Sequence, residues 1–291
     1  MTEPTRSCSF ADRAWHGTVA VTENIAIARD TYRLRFEAPE VAARIVPGQF
    51  LMLRLAGYDD PLLGRPFALF DTILDSNGKP TGVDIVYLAV GRQTRKLARF
   101  MPGEKLEVWG PLGNGFPPAA SDHLIMVAGG IGQTPFLALA QEYLGSRKYG
   151  SPARDVPKAK RITLCYGARS AALLAGVEQF REAGVDVRIS TDDGTAGCHG
   201  LVTETLKVLL AEQDQASRRV VCCGPERMME AVSQMCQSSG TPCQLSLETP
   251  MACGIGICFS CVAKIRDASG QWDYRRTCVE GPVFEAEAVE F

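Results

Sequence analysis

Leu124-Ile125-Met126-Val127-Ala128-Gly129-Gly130-Ile131-Gly132-Gln133-Thr134-Pro135 is where the chain changes architecture. The apolar run 124–128 has the character of a strand covered on both faces, as strands of a parallel sheet are. The glycines after it let the backbone turn tightly and bring N–H groups and a helix N-terminus against a pyrophosphate. Pro135 fits the first turn of the helix expected over 134–144, where its missing N–H has no partner to lose. The spacing is not the G-x-G-x-x-G of dinucleotide dehydrogenases, and a plain tight turn has the same glycines.

Downstream, strand and helix patterns alternate: strands at 161–166, 185–190 and 219–223, helices at 173–183, 200–210 and 226–237. Such alternation predicts a Rossmann-like parallel sheet with helices on both faces. Residues 146–160, rich in Pro, Gly and Lys, read as a surface connection. Cys223-Gly224-Pro225-Glu226 follows the last of these strands. By itself it is a common turn. Ligands of parallel sheets collect outside the carboxyl ends of the strands, so this loop and Gly129, Gly130 and Gly132 are expected to face one crevice.

Upstream, short alternating runs at 17–28, 32–38, 50–55, 66–70, 83–90 and 105–109, with one helical stretch at 94–100, predict a closed six-stranded antiparallel barrel. Within it, Gly64-Arg65-Pro66-Phe67-Ala68-Leu69 presents a guanidinium fork on a strand stiffened by proline. An exposed Arg before an edge-strand Pro is the plainer reading of that segment alone. Val86-Tyr87-Leu88 and Gly91-Arg92-Gln93-Thr94 offer an aromatic face and phosphate-binding N–H groups, though a lone Tyr is more often core. Gly110-Pro-Leu-Gly-Asn-Gly-Phe116 joins barrel to sheet, with turn and hinge as its minimum roles.

The third region carries the most specific signal. Cys253, Cys258 and Cys261 stand in C-x4-C-x2-C, and Cys278 follows; this is how a plant-type [2Fe–2S] cluster is held. Gly254 and Gly256 let the loop curl around a cofactor and aim N–H groups at sulfur. A tail this small lacks a sizeable core of its own and needs a cluster as its staple.

The 291 residues, 46% hydrophobic and 22% charged, describe an ordinary globular chain of two domains and a small third. The expected divisions are 12–119, 120–240 and 241–291. A formal net charge of −2 leaves no basic surplus for nucleic acid, and no apolar run is long enough for a membrane span. Residues 1–8 have no apolar core for a signal peptide, and 11 cysteines, an odd number, fit a reducing cytoplasm. Cys8, Cys165, Cys198, Cys222, Cys223, Cys236 and Cys243 then read mostly as buried small residues. His16, His123 and His199 share no metal spacing, and Asp192-Asp193-Gly194 reads as a solvated turn or as a group rejecting a 2′-phosphate.

In order, Arg65-Pro-Phe, Gly110-Pro-Leu-Gly-Asn-Gly-Phe, Gly129-Gly-Ile-Gly, Cys223-Gly-Pro, Met251-Ala-Cys-Gly-Ile-Gly and Cys278-Val-Glu-Gly-Pro-Val-Phe resemble the ferredoxin reductase-type flavoproteins. More narrowly, they resemble the electron transfer subunits of class 1B dihydroorotate dehydrogenases. The resemblance implies FAD on Arg65, Pro66, Phe67, Ala68, Val86, Tyr87, Leu88, Gln93 and Thr94. It implies NAD at Gly129, Gly130, Gly132, Gly224 and Pro225, and iron on Cys253, Cys258, Cys261 and Cys278. It also implies a partner, an FMN-containing catalytic subunit that oxidises dihydroorotate in pyrimidine (UMP) biosynthesis, in a cytoplasmic heterotetramer with two copies of each chain. No side chain here is assigned as catalytic. Two positions depart from the family pattern: Ala68 where Ser or Thr places a hydroxyl near the flavin, and Gln93 where Gly usually precedes Thr94. A reductase subunit of a sulfide dehydrogenase, hydrogenase or glutamate synthase would use the same circuit, and a free-standing flavin reductase or an iron-binding redox sensor remains open.

Overall fold

A computed structural model describes residues 13–291; Cys8, the stretch 1–8 and the barrel's expected start at residue 12 lie outside the described residues. The first region is built from β1 (Trp15–Ala28), β2 (Thr31–Glu37), the turn-length helix α1 (Pro39–Ala42), β3 (Phe50–Leu55), β4 (Arg65–Ala68), β5 (Asp71–Leu74), β6 (Pro80–Leu88), α2 (Arg92–Leu97) and β7 (Lys105–Leu112). The strands pair antiparallel in the order β4-β3-β7-β1-β2-β6-β5. β1 makes the curvature possible. Its first half pairs with β7 from Trp15↔Gly110 to Ala20↔Lys105, and its second half pairs with β2 after a bulge near Val21. The six expected strands are present, and β5 adds a seventh at the edge. Alternation places Leu34, Phe36, Leu51, Leu53, Ile85 and Val108 in one apolar core.

The second region comprises β8 (His123–Gly129), α3 (Phe136–Leu144), β9 (Arg161–Ala168), α4 (Val177–Glu182), β10 (Asp186–Thr191), β11 (Cys198–His199), α5 (Val202–Leu210), β12 (Arg218–Cys223), α6 (Glu226–Ser239) and β13 (Cys243–Ser246). Its sheet runs β11-β10-β9-β8-β12-β13, all parallel. Strand order reverses between β8 and β12, a switch point flanked by Gly129 and Cys223. A 3₁₀ turn, Gly130–Gln133, precedes α3, which therefore begins at Phe136 with Pro135 as its cap residue. The helix expected at 173–183 is broken: Gly176 adopts φ +75° and only Val177–Glu182 is α-helical. The 146–160 connection has no regular element, yet it buries Tyr149, whose hydroxyl donates to Asp71 of β5 at 2.7 Å and so ties the sheet domain to the barrel.

The cysteine-bearing segment forms β14 (Val262–Arg266), β15 (Trp272–Arg276), β16 (Val283–Glu285) and β17 (Val289–Glu290). β15-β14-β17 make a small antiparallel sheet, whereas β16 pairs antiparallel with β13 and extends the large sheet. Asn114, in the glycine-rich joint, clamps this strand. Its side chain donates to the Val283 carbonyl at 2.8 Å and accepts from the Val283 N–H, and its own N–H donates to the Gly281 carbonyl at 2.7 Å. The joint read as a hinge is a fastening between barrel, sheet and tail. Among the described residues, no helix is long and apolar enough to cross a membrane.

Candidate functional site

A cleft of about 450 Å³ opens between the barrel, the switch point and the segment leading to the cysteines. Pro66, Phe67, Ala68, Val86, Tyr87 and Leu88 line it from the barrel, and Thr134, Pro135, Cys223, Glu248 and Met251 from the opposite walls. β4 and β6 deliver the barrel residues because successive strand positions alternate between core and cleft. Val86 packs toward the sheet domain, while the Tyr87 ring faces the barrel core. That ring stacks on Tyr32 at 5.6 Å and its hydroxyl donates to Asn24 at 3.1 Å, while burial raises its phenol above the usual range. The aromatic side chain thus packs in the barrel core while the residue borders the cleft.

Arg65 is exposed and folds back, donating from Nη1 to the Leu63 and Gly64 carbonyls at 3.0 Å each. Gln93 answers the question its position raised. Its amide is buried and donates to the Leu53 carbonyl at 2.8 Å, so the side chain points into the barrel and leaves the Gly91–Thr94 turn unobstructed. The Thr94 hydroxyl accepts the Gly91 N–H at 3.0 Å and shapes that turn.

At the switch point the two glycine loops touch. A Cβ on Gly132 would stand 2.2 Å from the Cys223 carbonyl oxygen, and one on Gly224 would stand 2.9 Å from the Gly129 nitrogen. A Cβ on Gly129 would meet Pro225 and Met228 at 2.7 Å, whereas Gly130, at φ +56°, faces open space. The two loops thus pack backbone to backbone, so closely that side chains at Gly129, Gly132 or Gly224 would collide with the opposite loop. Cys223 is buried, which raises its thiol well above the usual range, and its Sγ lies 4.0 Å from Glu248 Oε1. Protein atoms crowd the Glu248 carboxyl and raise it too, though the residue faces the open cleft. Asp193 is turned to its own loop, accepting from the Thr195 N–H at 3.0 Å and hydroxyl at 2.6 Å. His16 packs edge-on against Trp109, His123 is buried beside Thr163, and His199 is exposed.

The four cysteines come together from two directions. Gly254 (φ +73°), Gly256 (φ +83°) and Phe259 (φ +56°) bend the loop, and a Cβ at Gly254 would meet Met52 of the barrel at 2.5 Å. Among the described residues no group of three or more His, Cys, Asp or Glu side chains is placed to hold a single metal ion. The thiols nonetheless neighbour one another: Cys258 lies by Cys253, and Cys278 by Cys261 and, more remotely, Cys253. The outer pair is accessible, with the Cys258 thiol lowered to about 6 chiefly by the Ser260 hydroxyl at 3.1 Å. The inner pair is buried, and desolvation pushes Cys278 up to about 12. The Ile255 N–H points at Cys253 Sγ at 3.4 Å. Thiol donors, positive-φ residues and N–H groups aimed at sulfur fit an iron–sulfur cluster. The other described cysteines are free; Cys165, Cys222, Cys223, Cys236 and Cys243 are buried as expected, whereas Cys198 is exposed.

Sequence reasoning missed the residues that join these parts. Phe50 lines the cleft and also belongs to the apolar cluster of Met52, Leu112, Cys261 and Cys278. Trp109 donates its indole N–H to the Cys253 carbonyl at 2.9 Å, fastening the loop to β7. Glu248 had only its nearness to the cysteine motif as a signal.

An FR-type barrel, a parallel sheet with a glycine-lined switch point and a paired-cysteine loop define an electron-transfer flavoprotein with an iron–sulfur centre. Family models agree in the same order. The oxidoreductase FAD-binding domain matches residues 18–116, the oxidoreductase NAD-binding domain 126–234, and the iron–sulfur cluster binding domain of dihydroorotate dehydrogenase B 248–290. The chain is 35% identical to the dihydroorotate dehydrogenase B (NAD(+)) electron transfer subunit of Desulforamulus reducens, over 90% of this chain and 94% of that one. It is also 35% identical to the corresponding subunit of Clostridium perfringens, over 93% and 96%. An NADH-dependent reduced ferredoxin–NADP oxidoreductase has a similar structure, with TM-score 0.75 and 26% identity over 94% of this chain and 89% of that one. Phthalate dioxygenase reductase shares the fold, with TM-score 0.59 and 19% identity over 91% and 94%. The chain belongs to the family of dihydroorotate dehydrogenase B (NAD(+)) electron transfer subunits.

Proposed function

We propose that this chain carries electrons from an FMN-containing catalytic subunit, which oxidises dihydroorotate to orotate, to NAD+, in the cytoplasm and as part of pyrimidine biosynthesis. The carrying observation is that Phe50 belongs at once to the wall of the cleft and to the packing around Cys261 and Cys278. A flavin exchanges electrons singly or as a hydride pair, an iron–sulfur cluster singly, and NAD only as hydride, so the flavin site belongs between the other two. The order of sites along the chain's interior matches that requirement.

In this reading Pro66, Phe67, Ala68, Val86 and Leu88, with the backbone edge of Tyr87, hold the FAD ring in the cleft. The Gly91–Thr94 turn, including Gln93 and Thr94, takes its phosphates, and Arg65 swings from its own loop to join them. Gly129, Gly130, Gly132, Gly224 and Pro225 admit NAD at the switch point. Cys253, Cys258, Cys261 and Cys278 hold the [2Fe–2S] cluster, with half-buried Cys253 and exposed Cys258 toward the partner and the buried pair toward Phe50. The divisions 12–119, 120–240 and 241–291 then correspond to the three cofactors. No side chain here acts on dihydroorotate; that proton chemistry belongs to the partner, two copies of which join two of this chain.

Affinity purification of the tagged chain from its own cells tests this. The expected result is co-purification of an FMN protein and reduction of NAD+ when dihydroorotate is added. A different partner, or a complex that oxidises NADH with artificial acceptors but forms none from dihydroorotate, overturns the assignment.

A further inference from the structure

Arg276 ends β15, two residues before Cys278, and its guanidinium is clasped onto the cysteine loop. Nη1 donates to the Gly256 carbonyl at 3.0 Å, midway between Cys253 and Cys258. The cation also lies over the Phe259 ring at 5.2 Å, and Phe259 is the loop's non-glycine residue at positive φ. From the other side Glu280 holds it: one carboxylate oxygen accepts the Arg276 backbone N–H at 2.8 Å and lies 3.5 Å from Nε, while the other accepts from Arg275 at 3.1 Å. With its side chain about one-third exposed, the guanidinium is fixed in place yet not neutralised by deep burial.

We propose that Arg276 sets the redox potential of the cluster site, its fixed positive charge favouring the reduced state. This rests on the reading that the four cysteines hold a [2Fe–2S] cluster. Such a centre is anionic and gains one further negative charge when a single electron arrives from the partner's reduced flavin, with no bond made or broken. A nearby cation stabilises the more negative state more strongly. An arginine remains charged at every working pH, so the effect is constant, and Glu280 opposes it in part. The N–H and hydroxyl donors at Cys253 and Cys258 act in the same direction as the guanidinium. Electrons bound for NAD+ need this bias, because an unaided plant-type cluster is too strong a reductant to accept them readily.

The test is an EPR-monitored redox titration of the full chain carrying Arg276→Gln, Arg276→Lys or Glu280→Gln, with iron, sulfide and FAD contents measured first. Arg276→Gln is expected to lower the reduced-to-oxidised ratio at a given potential roughly tenfold, a negative shift of ~59 mV. Arg276→Lys restores most of it, and Glu280→Gln moves the midpoint the other way. An unmoved midpoint in iron-replete Arg276→Gln overturns the proposal. Should that variant not retain iron, Glu280→Gln decides: a positive shift supports the idea and an unmoved or negative one sinks it. A wild-type chain without iron would instead refute the cysteine assignment on which the inference stands.

Discussion

Replacing Gly132 by Ala puts the geometry of the switch point to a sharp test. The added Cβ would lie 2.2 Å from the carbonyl oxygen of Cys223, 2.6 Å from its carbon and 2.8 Å from the Gly224 nitrogen. All three are backbone atoms at the end of β12, whose Cys223 is in register with Ala128 of β8, so no side chain can swing aside. Relief requires the strand end to move by about 1 Å to reach ordinary contact. Overpacking of this kind costs about 1–3 kcal/mol, and a purely backbone obstacle belongs at the upper end. If that ~3 kcal/mol is expressed in the crevice, affinity for NADH falls about a hundredfold. Gly240→Ala, at the end of α6 and outside the crevice, is the control: at φ +65° with nothing within 4 Å, it incurs only the left-handed penalty of about 1–2 kcal/mol. Calorimetric titration of NADH into both variants, with FAD and iron contents checked, reads the difference. Wild-type affinity in Gly132→Ala, or an equal loss in Gly240→Ala, refutes the close approach of the two loops.

Ala68→Ser is expected to shift the flavin midpoint potential by returning a hydroxyl to the cleft wall; an unchanged redox titration would place residue 68 away from the flavin. Phe50→Ala removes a ring that is 4% exposed, costs about 3–5 kcal/mol of stability and slows electron passage to the cysteines. Stopped-flow traces should show the flavin reduced by NADH at the wild-type rate while iron–sulfur reduction lags, and equal rates would count against the bridge. His123 is held at about 4, below its usual 6.5, chiefly by burial, so it folds neutral. Its stabilising contribution is present above pH 6.5, is lost as pH falls toward 4 and stays lost below, because the unfolded chain takes up the proton first. Thermal melts of His123→Gln across that window should decline less than wild type; parallel declines would contradict the burial argument.

What the sequence made legible is what short-range chemistry dictates. β8 declared itself because a parallel strand covered on both faces is a continuous apolar run, and the C-x4-C-x2-C spacing because its ligands share one loop. β13 was hidden: Cys243-Gln-Leu-Ser246 buries polar residues whose partners lie elsewhere, Gln244 donating to Glu285 at 2.6 Å. The strands of the cysteine segment escaped because they are short and largely exposed, and the helix expected at 173–183 failed at one left-handed glycine. Trp109 and Cys253 are 144 residues apart and Asn114 and Val283 are 169 apart. Contacts at that range leave no local pattern, which is why the partners of Phe50, Trp109 and Asn114 emerged only from packing, as did the turn of the Tyr87 and Gln93 side chains into the barrel.

Iron held by the four cysteines beside a flavin cleft is what every step of electron passage here requires. Anaerobic purification followed by iron, sulfide and FAD analysis, with low-temperature EPR after NADH addition, examines this most directly. The expected result is equal iron and acid-labile sulfide at about two of each per FAD, with a signal that vanishes in Cys261→Ala. Flavin-bearing protein without sulfide, or iron content indifferent to that substitution, would contradict it.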